Sequence, residues 1–494
     1  MARQPRRPIN YFPGGLVGGI YQPLTQAGIE QIHAATMKVY ENAGMQVNSE
    51  RALRAFHDAG AEVDFQRQIV RASESWIKDK IKTAPAKITL HGREERHNLE
   101  LDGFKVYIGT GGTAVNVLDI DSGNRRPSTI EDVQMAARLV DALDNIHFYV
   151  ISCLPTELEK KDIDVNRFYA AIRNTSKHVM GGVYTPEGVK NVANYAAMIA
   201  GSREALLKNP FISLITCIMS PLVMDRDYTE LMIAAIETGL PLATPCAPMA
   251  GTTSPGTLAG TLVQMNAEAL SGVLLTQILN PGHPVLYSCV PTTTDLRTGA
   301  FCFGSVEMGL MNAACAQLSR FYNLPNYTTA GVTESKIPDA QSGYESMATI
   351  MLAALSGSNY IHDAAGLIES GLSIAFEQYV MDDDIIGMAM RAVKGIEVND
   401  ETLSVDIINE VGPAGNYLAN DHTTMHMKKE FFYNKASDRN SRSRWEMNGS
   451  LDARERARRV AKEILATHKP VWVDKKVEKE IVETIPGMLQ NWID

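Results

Sequence analysis

Eight short apolar runs, each followed by a helical pattern, constrain this chain more than any other feature. The runs lie at 106–108, 148–152, 178–181, 212–217, 241–245, 284–288, 326–330 and 359–362. Helical spacing of apolar residues predicts helices at 130–143, 166–174, 186–200, 228–238, 257–279, 306–322, 341–355 and 374–393. Runs that are apolar on both faces suit parallel strands covered inside by side chains and outside by helices. Eight such units in series, about 30–45 residues apart, predict a closed (β/α)8 TIM barrel over 105–394. An open doubly wound sheet is the alternative. It needs a glycine-rich phosphate turn, and Gly109-Thr110-Gly111-Gly112 lacks the GxGxxG spacing.

The flanks read differently. Residues 1–104 predict an α+β cap, with helices at 25–41 (Thr25 as N-cap), 49–59 and 73–82, and short alternating runs at 87–90 and 99–101. Residues 395–494 predict a helical extension packed on the barrel flank or on a second subunit. The methionine-rich stretch 381–390 and these terminal helices suggest an interface and a homo-oligomer, or else packing on the barrel's own flank.

Charge and composition narrow the function. Lys and Arg number 47 against 57 Asp and Glu, a net charge of −10, which argues against nucleic acid as a partner. Arg3, Arg6 and Arg7 are followed by a Gly/Pro loop at 10–19 rather than an apolar run, so no secretory signal is expected. The arginines from Arg439 to Arg459 read as a solvated helix face. The apolar stretch 258–279 is interrupted by Gln264, Asn266, Glu268 and Gln277, so no membrane span is expected. Six cysteines are too few for a disulfide framework, and a cytoplasmic location is expected.

In a barrel, chemistry gathers on the loops after the strands' carboxyl ends. Here those loops are rich in Thr, Ser, Gly, Pro and Met, and poor in paired carboxylates. No GxSxG, HExxH or P-loop is present. Such loops shape a cavity and place dipoles rather than run strong acid–base work. Cys153, Cys217, Cys246 and Cys289 fall near strand ends, but without a CxxC pair they read as packing rather than as zinc ligands, and no metal is expected. His362 ends the eighth run beside Asp363, where it could orient a substrate or tune a proton. His422 and His426 share one helix face, a weaker candidate. Tyr107, Tyr149, Tyr184, Tyr287, Tyr327 and Tyr360 lie in or beside the runs. Most are core, but two or three near the mouth could form a cage for a cation.

Several ordered blocks resemble one family. They are Ser254-Pro255, Leu258-Ala259-Gly260-Thr261-Leu262-Val263, Asn266-Ala267-Glu268 and Leu270-Ser271-Gly272, then Thr292-Thr293-Thr294-Asp295-Leu296 and Phe321-Tyr322-Asn323-Leu324-Pro325. Lys336-Ile337-Pro338-Asp339 with Gln341, Gly343 and Glu345, and Asn416-Tyr417-Leu418 with His422-Thr423, complete the set. Together they resemble the trimethylamine methyltransferase family over nearly the whole chain. The resemblance implies a TIM barrel that moves a methyl group from an amine to the cobalt of a separate corrinoid protein, holding no cofactor tightly itself. Members that carry pyrrolysine bear it on the loop after the seventh strand. Here that loop reads Ala330-Gly331-Val332-Thr333-Glu334-Ser335-Lys336, with Val332 or a neighbour at that place. The resemblance is then to members acting on glycine betaine, proline betaine or carnitine.

A quaternary ammonium leaves as a neutral amine, so such an enzyme has only to bind, desolvate and aim its substrate. Glycine betaine is the expected methyl donor. Glu334 and His362 are the candidate catalytic residues. For a betaine carboxylate the candidate donors are Arg297, Lys336, His362, Thr110 and Thr293; for the ammonium the candidates are Glu334, Asp295, Tyr107, Tyr184 and Tyr360. Asp295 and Arg297 could instead clamp each other. A zinc-thiolate methyltransferase and a non-catalytic betaine-binding barrel are the rival readings.

Overall fold

A computed structural model describes residues 10–493. Arg3, Arg6 and Arg7 lie outside the described residues. All eight expected strands are present: β1 (Lys105–Ile108), β2 (Tyr149–Val150), β3 (Val179–Gly182), β4 (Ile212–Ile215), β5 (Leu242–Ala243), β6 (Val285–Ser288), β7 (Asn326–Thr329) and β8 (Tyr360–His362). Their order in the sheet is β1-β8-β7-β6-β5-β4-β3-β2, all parallel, with Leu16–Val17 added antiparallel outside β1. The helices that follow are α1 (Ile130–Ala142), α2 (Lys160–Asn174), α3 (Pro186–Ala200), α4 (Arg226–Thr238), α5 (Leu258–Leu279), α6 (Val306–Phe321), α7 (Ala340–Leu355) and α8 (Phe376–Lys394).

Local sequence explains where these helices begin. Thr185 caps α3 by accepting from the Gly188 amide, with Pro186 in the first turn. Thr257 and Ser305 cap α5 and α6 in the same way, and Asp339 forms a capping box with Ser342 at α7.

The two end strands of the parallel sheet, β1 and β2, are not joined by a continuous ladder. The His147 amide donates to the Ile108 carbonyl at 2.8 Å, and the Ile108 amide donates to His147 Nδ1 at 2.9 Å. A side-chain nitrogen thus replaces the backbone acceptor that a ladder would use. Further along, Ala114 and Cys153 form a single parallel bridge. Gly109 permits the close approach, since a Cβ there would lie 2.4 Å from the Phe148 ring.

The interior is filled by aromatic rings. Phe148 stacks on Tyr360 at 3.6 Å, Tyr360 on Tyr327 at 5.5 Å, and Tyr327 lies 4.1 Å from the His362 ring. The hairpin Ile88–Leu90/Leu99–Leu101 packs its four apolar side chains under this column, together with Tyr107, and closes the strands' amino-terminal end. The rest of the amino-terminal part adds the helices Gln26–Asn42, Glu50–Asp58 and Glu74–Ile81, and a small sheet that takes Val223–Met224 as a parallel edge.

α5 is long and apolar enough to cross a membrane, but 72% of its apolar window is buried inside the fold. The polar residues that interrupt it are tie points. Asn266 bonds Thr36, Tyr322 and Tyr287, and Gln277 bonds the His283 carbonyl.

Beyond α8, the helix Ala453–Thr467 packs against α8 and α1. Arg454 and Arg458 reach the fully buried Glu377 there, so part of the basic cluster is a packing surface rather than a solvated face. The methionines of 381–390 pack on the fold's own flank: Met390 is buried, and Met381 and Met388 pack against the core, because α8 is covered by its neighbours. Exposed apolar side chains gather later, at Ile396, Val398, Leu403, Val405, Ile408 and Leu418.

Candidate active site

A cavity of about 530 Å³ opens at the carboxyl ends of the strands. Its wall is drawn from nearly every βα loop: Thr113 after β1, Tyr184 after β3, Cys217 and Met219 after β4, Met249 after β5, Val290 after β6, and Tyr327, His362 and Asp363 from β7 and β8. Tyr228 from α4 and Phe303 complete it. Its volume falls in the roughly 300–1,000 Å³ range of small-molecule sites. Four aromatic rings (Tyr184, Tyr228, Phe303, Tyr327) and two thioethers face it. Asp363 is its one carboxylate, and no Lys or Arg lines it among the described residues.

His362 and Asp363 are both buried at its floor. His362 Nδ1 faces the Thr328 carbonyl at 2.8 Å, an oxygen that can only accept, so Nδ1 carries a hydrogen. Nε2 lies 2.8 Å from Asp363 Oδ2, which also accepts from Thr329 Oγ1 at 2.8 Å. Two lone pairs cannot face each other at that distance, so a proton is held between Nε2 and Oδ2. Both ring nitrogens are therefore engaged. Asp363 Oδ1 is buried without a hydrogen-bond partner. It packs against Gly111, where any Cβ would lie 2.0 Å away, and Asp363 itself adopts φ 65°.

Buried carboxylates brace the loops from behind. Glu268 on α5 accepts from Ser220 Oγ (2.7 Å), the Leu222 amide (2.9 Å) and Gln264 Nε2 (2.8 Å), fixing the loop after β4. Burial pushes it up to about 7. Asp382 on α8 accepts from the Gly366 amide and from Gln378, each at 2.8 Å, fixing the loop after β8, and burial pushes it up to about 8.

Of the residues expected at the site, Tyr184 and His362 line the cavity and the others do not. Glu334 accepts from the Phe303 and Gly304 amides at 2.6 and 2.9 Å, anchoring the end of the hairpin Thr292–Asp295/Ala300–Cys302, so it positions Phe303 rather than offering a free carboxylate. Burial raises its pKa. Arg297 is 89% exposed and clamps Asp295 at 2.7 Å at the hairpin tip, holding that carboxyl at about 2. Lys336 donates to the Glu334 carbonyl on the surface. Thr293 bonds Ser305, and Thr110 is buried against the Val150 carbonyl. Tyr360 is in the aromatic column. Tyr107 opens instead on a separate cavity of about 280 Å³ at the amino-terminal ends, with His97 and His147. His422 and His426 stack on each other at 4.2 Å away from the cavity. The four strand-end cysteines are free thiols; only Cys217 reaches the cavity, where burial raises its thiol to about 11. Among the described residues no three His, Cys, Asp or Glu side chains gather at metal-binding distance.

Asp363, Tyr327, Met219 and Met249 were all visible at strand ends, without a signal that they face one space. Phe303 and Tyr228 had no sequence signal.

The sequence profile of the family described as "Trimethylamine methyltransferase (MTTB)" matches residues 16–486. This chain belongs to that family. It is 36% identical to the trimethylamine methyltransferase MttB of Desulfitobacterium hafniense (strain DSM 10664 / DCB-2), over 90% of each chain. It is 33% identical to the glycine betaine methyltransferase of Desulfitobacterium hafniense (strain Y51), over 93% of this chain and 96% of that one. Among solved structures, the monomethylamine methyltransferase (MtmB) of Methanosarcina barkeri aligns with a TM-score of 0.48 at 14% identity, over 92% of this chain and 96% of that one. The MTTB family thus contains relatives of similar distance that are named for different amines.

Proposed function

We propose that this protein is a methyltransferase that removes a methyl group from a quaternary amine, glycine betaine first, and delivers it to a corrinoid carried by a separate protein. The eight strands are read as a closed (β/α)8 barrel, supported by the His147–Ile108 bonds and the Ala114–Cys153 bridge between the sheet's ends. The observation that carries the function is the lining of the cavity. Four aromatic rings, two thioethers and one carboxylate, with no Lys or Arg among them, select a cation that has no N–H to donate.

The chain's own residues bind, dry and aim. Tyr184, Tyr228, Phe303 and Tyr327 offer ring faces to the methyl groups, each contributing about 0.5–2 kcal/mol. The proton held at His362 Nε2 fixes the Asp363 carboxylate at the floor, and the pair as a whole is neutral, so its dipole rather than a net charge faces the cation. The corrinoid of the partner protein supplies the reduced cobalt that accepts the methyl group. As the carbon–nitrogen bond breaks, its electron pair stays on nitrogen and the positive charge is lost, so dimethylglycine leaves without needing a general acid. This accounts for a site whose histidine nitrogens are both occupied. The loop where pyrrolysine-bearing members carry that residue has Val332 or a neighbour at that place, and none of residues 330–336 lines the cavity. That supports a betaine over trimethylamine; proline betaine and carnitine fit the same chemistry.

The test is to incubate the protein with reduced cobalamin and either glycine betaine or trimethylamine, following the methyl-cobalt spectrum and dimethylglycine. Glycine betaine is expected to turn over and trimethylamine to be inert. Turnover of trimethylamine alone overturns the substrate reading, and betaine binding with no transfer to any carrier favours a non-catalytic barrel.

A further inference from the structure

A fully buried guanidinium stands behind the cavity wall with no carboxylate hydrogen-bonded to it. Arg167 on α2 is 0% exposed. Its hydrogen-bond partners are all neutral: the Ile151 carbonyl at 2.7 Å, the Cys153 carbonyl at 3.1 Å, Thr113 Oγ1 at 2.8 Å and the Tyr184 hydroxyl at 3.4 Å. No carboxylate lies within ion-pair distance of it among the described residues. Asp164, one turn earlier on α2, attracts Arg167 only at longer range, because its oxygens accept from the amides of Tyr184 and Thr185. A buried charge held only by neutral groups is costly unless something completes it.

Two of its partners, Thr113 and Tyr184, face the cavity. Thr113 gives its hydroxyl proton to the Gly112 carbonyl at 2.7 Å, and Ser220 gives its own to Glu268. Tyr184 differs. Its oxygen accepts from Arg167, so its O–H remains to donate, and the guanidinium also lies 5.8 Å from its ring. At 3.4 Å the Arg167–Tyr184 bond is long and has room to tighten when an anion accepts from the phenol. The loop after β3 lies four strands from β7 in the sheet order, across the curled sheet from the loops that carry Tyr327 and Asp363.

We propose that Arg167 and Tyr184 form the carboxylate end of the site: Tyr184 donates to the substrate's carboxylate, and Arg167 is the positioning residue whose buried charge that carboxylate completes. The substrate is therefore a zwitterion, with its ammonium toward Asp363 and its carboxylate toward Tyr184, and a quaternary amine without an anionic group binds more weakly. This rests on the reading of the cavity as a quaternary-amine site.

Titration calorimetry of glycine betaine and of tetramethylammonium into the wild type, Tyr184→Phe and Arg167→Lys tests it. Wild type is expected to bind both, glycine betaine the tighter. Tyr184→Phe, which keeps the ring, is expected to lose at least tenfold in glycine betaine affinity and less than threefold in tetramethylammonium affinity. Arg167→Lys is expected to lose glycine betaine selectively too, with its fold checked by thermal unfolding. A purely structural role would move both ligands together. Equal losses for both ligands, or no loss in Tyr184→Phe, overturn the inference while leaving the cation site standing. Binding of neither ligand by the wild type overturns the cation site itself, and the inference with it.

Discussion

His362 Nε2 lies 2.8 Å from Asp363 Oδ2 while the opposite ring nitrogen donates to the Thr328 carbonyl, so the two side chains share one proton at the floor of the cavity. The pair leaves Asp363 Oδ1 without a hydrogen-bond partner. Asp363→Asn keeps the shape and removes the carboxylate, and with it the dipole of the proton-sharing pair. Tetramethylammonium affinity is expected to fall about tenfold, or about 1.4 kcal/mol, by calorimetry. An unchanged affinity removes Asp363 from the cation site.

The aromatic wall makes its own prediction. Phe303→Leu removes a ring that lines the cavity and meets Phe301 edge-on, the two rings being 4.4 Å apart, while leaving an apolar side chain against the core. Loss of a cation–π face is expected to cost about 0.5–2 kcal/mol, roughly 2- to 30-fold in tetramethylammonium affinity. A neutral guest of the same shape should lose much less.

Arg297 and Lys336 are the basic side chains that the sequence placed near the mouth. Arg297→Ala and Lys336→Ala are expected to leave glycine betaine affinity within about 0.5 kcal/mol of wild type, as for surface substitutions away from a site. A tenfold loss in either would show that the hairpin or its neighbour closes onto the substrate.

Below the cavity, Leu90 is fully buried in the hairpin that closes the strands' amino-terminal end. Leu90→Ala is expected to cost about 2–5 kcal/mol of stability, read by denaturant unfolding. Betaine affinity of the folded fraction should not change, because the aromatic column separates floor and mouth.

Asp382 sets a pH dependence. Burial raises its carboxyl to about 8 from an ordinary value near 4. Below about pH 4 both folded and unfolded chains hold the proton. Between about 4 and 8 only the folded chain holds it, so unfolding releases a proton and stability falls as pH rises; above about 8 that loss is complete. Asp382→Asn removes this slope, and Gln378, whose Oε1 is buried without a partner, can turn to accept from the new amide. The Tm of the variant relative to wild type should rise between pH 5.5 and 8.5. A constant difference contradicts the assignment.

The alternation of runs and helices carried the architecture, because most strands are apolar on both faces and most helices start at a Ser, Thr or Asp cap, with α2 (Glu159) and α8 (Ala375) as exceptions. The positions of loops at the strands' carboxyl ends were therefore readable, and with them Tyr184 and His362. Side-chain direction was not. Tyr107 lies within β1 and Tyr184 two residues past the end of β3, yet Tyr107 reaches the amino-terminal cavity and meets the Glu100 amide. Glu334 looked like a free acid because the hairpin that folds back onto it, ending at Phe303, lies 31 residues earlier. Nor does a pattern of runs show that an imidazole, His147, interrupts the pairing of β1 and β2. Each of these depends on contacts between distant segments, which local periodicity does not encode.

The account's central claim is that the cavity recognises permanent positive charge. Its most direct measurement is a pair of titrations with glycine betaine and with its carbon isostere 3,3-dimethylbutanoate, which has the same shape and carboxylate but no charge on the central atom. Glycine betaine is expected to bind at least tenfold tighter. Equal affinities would contradict the account.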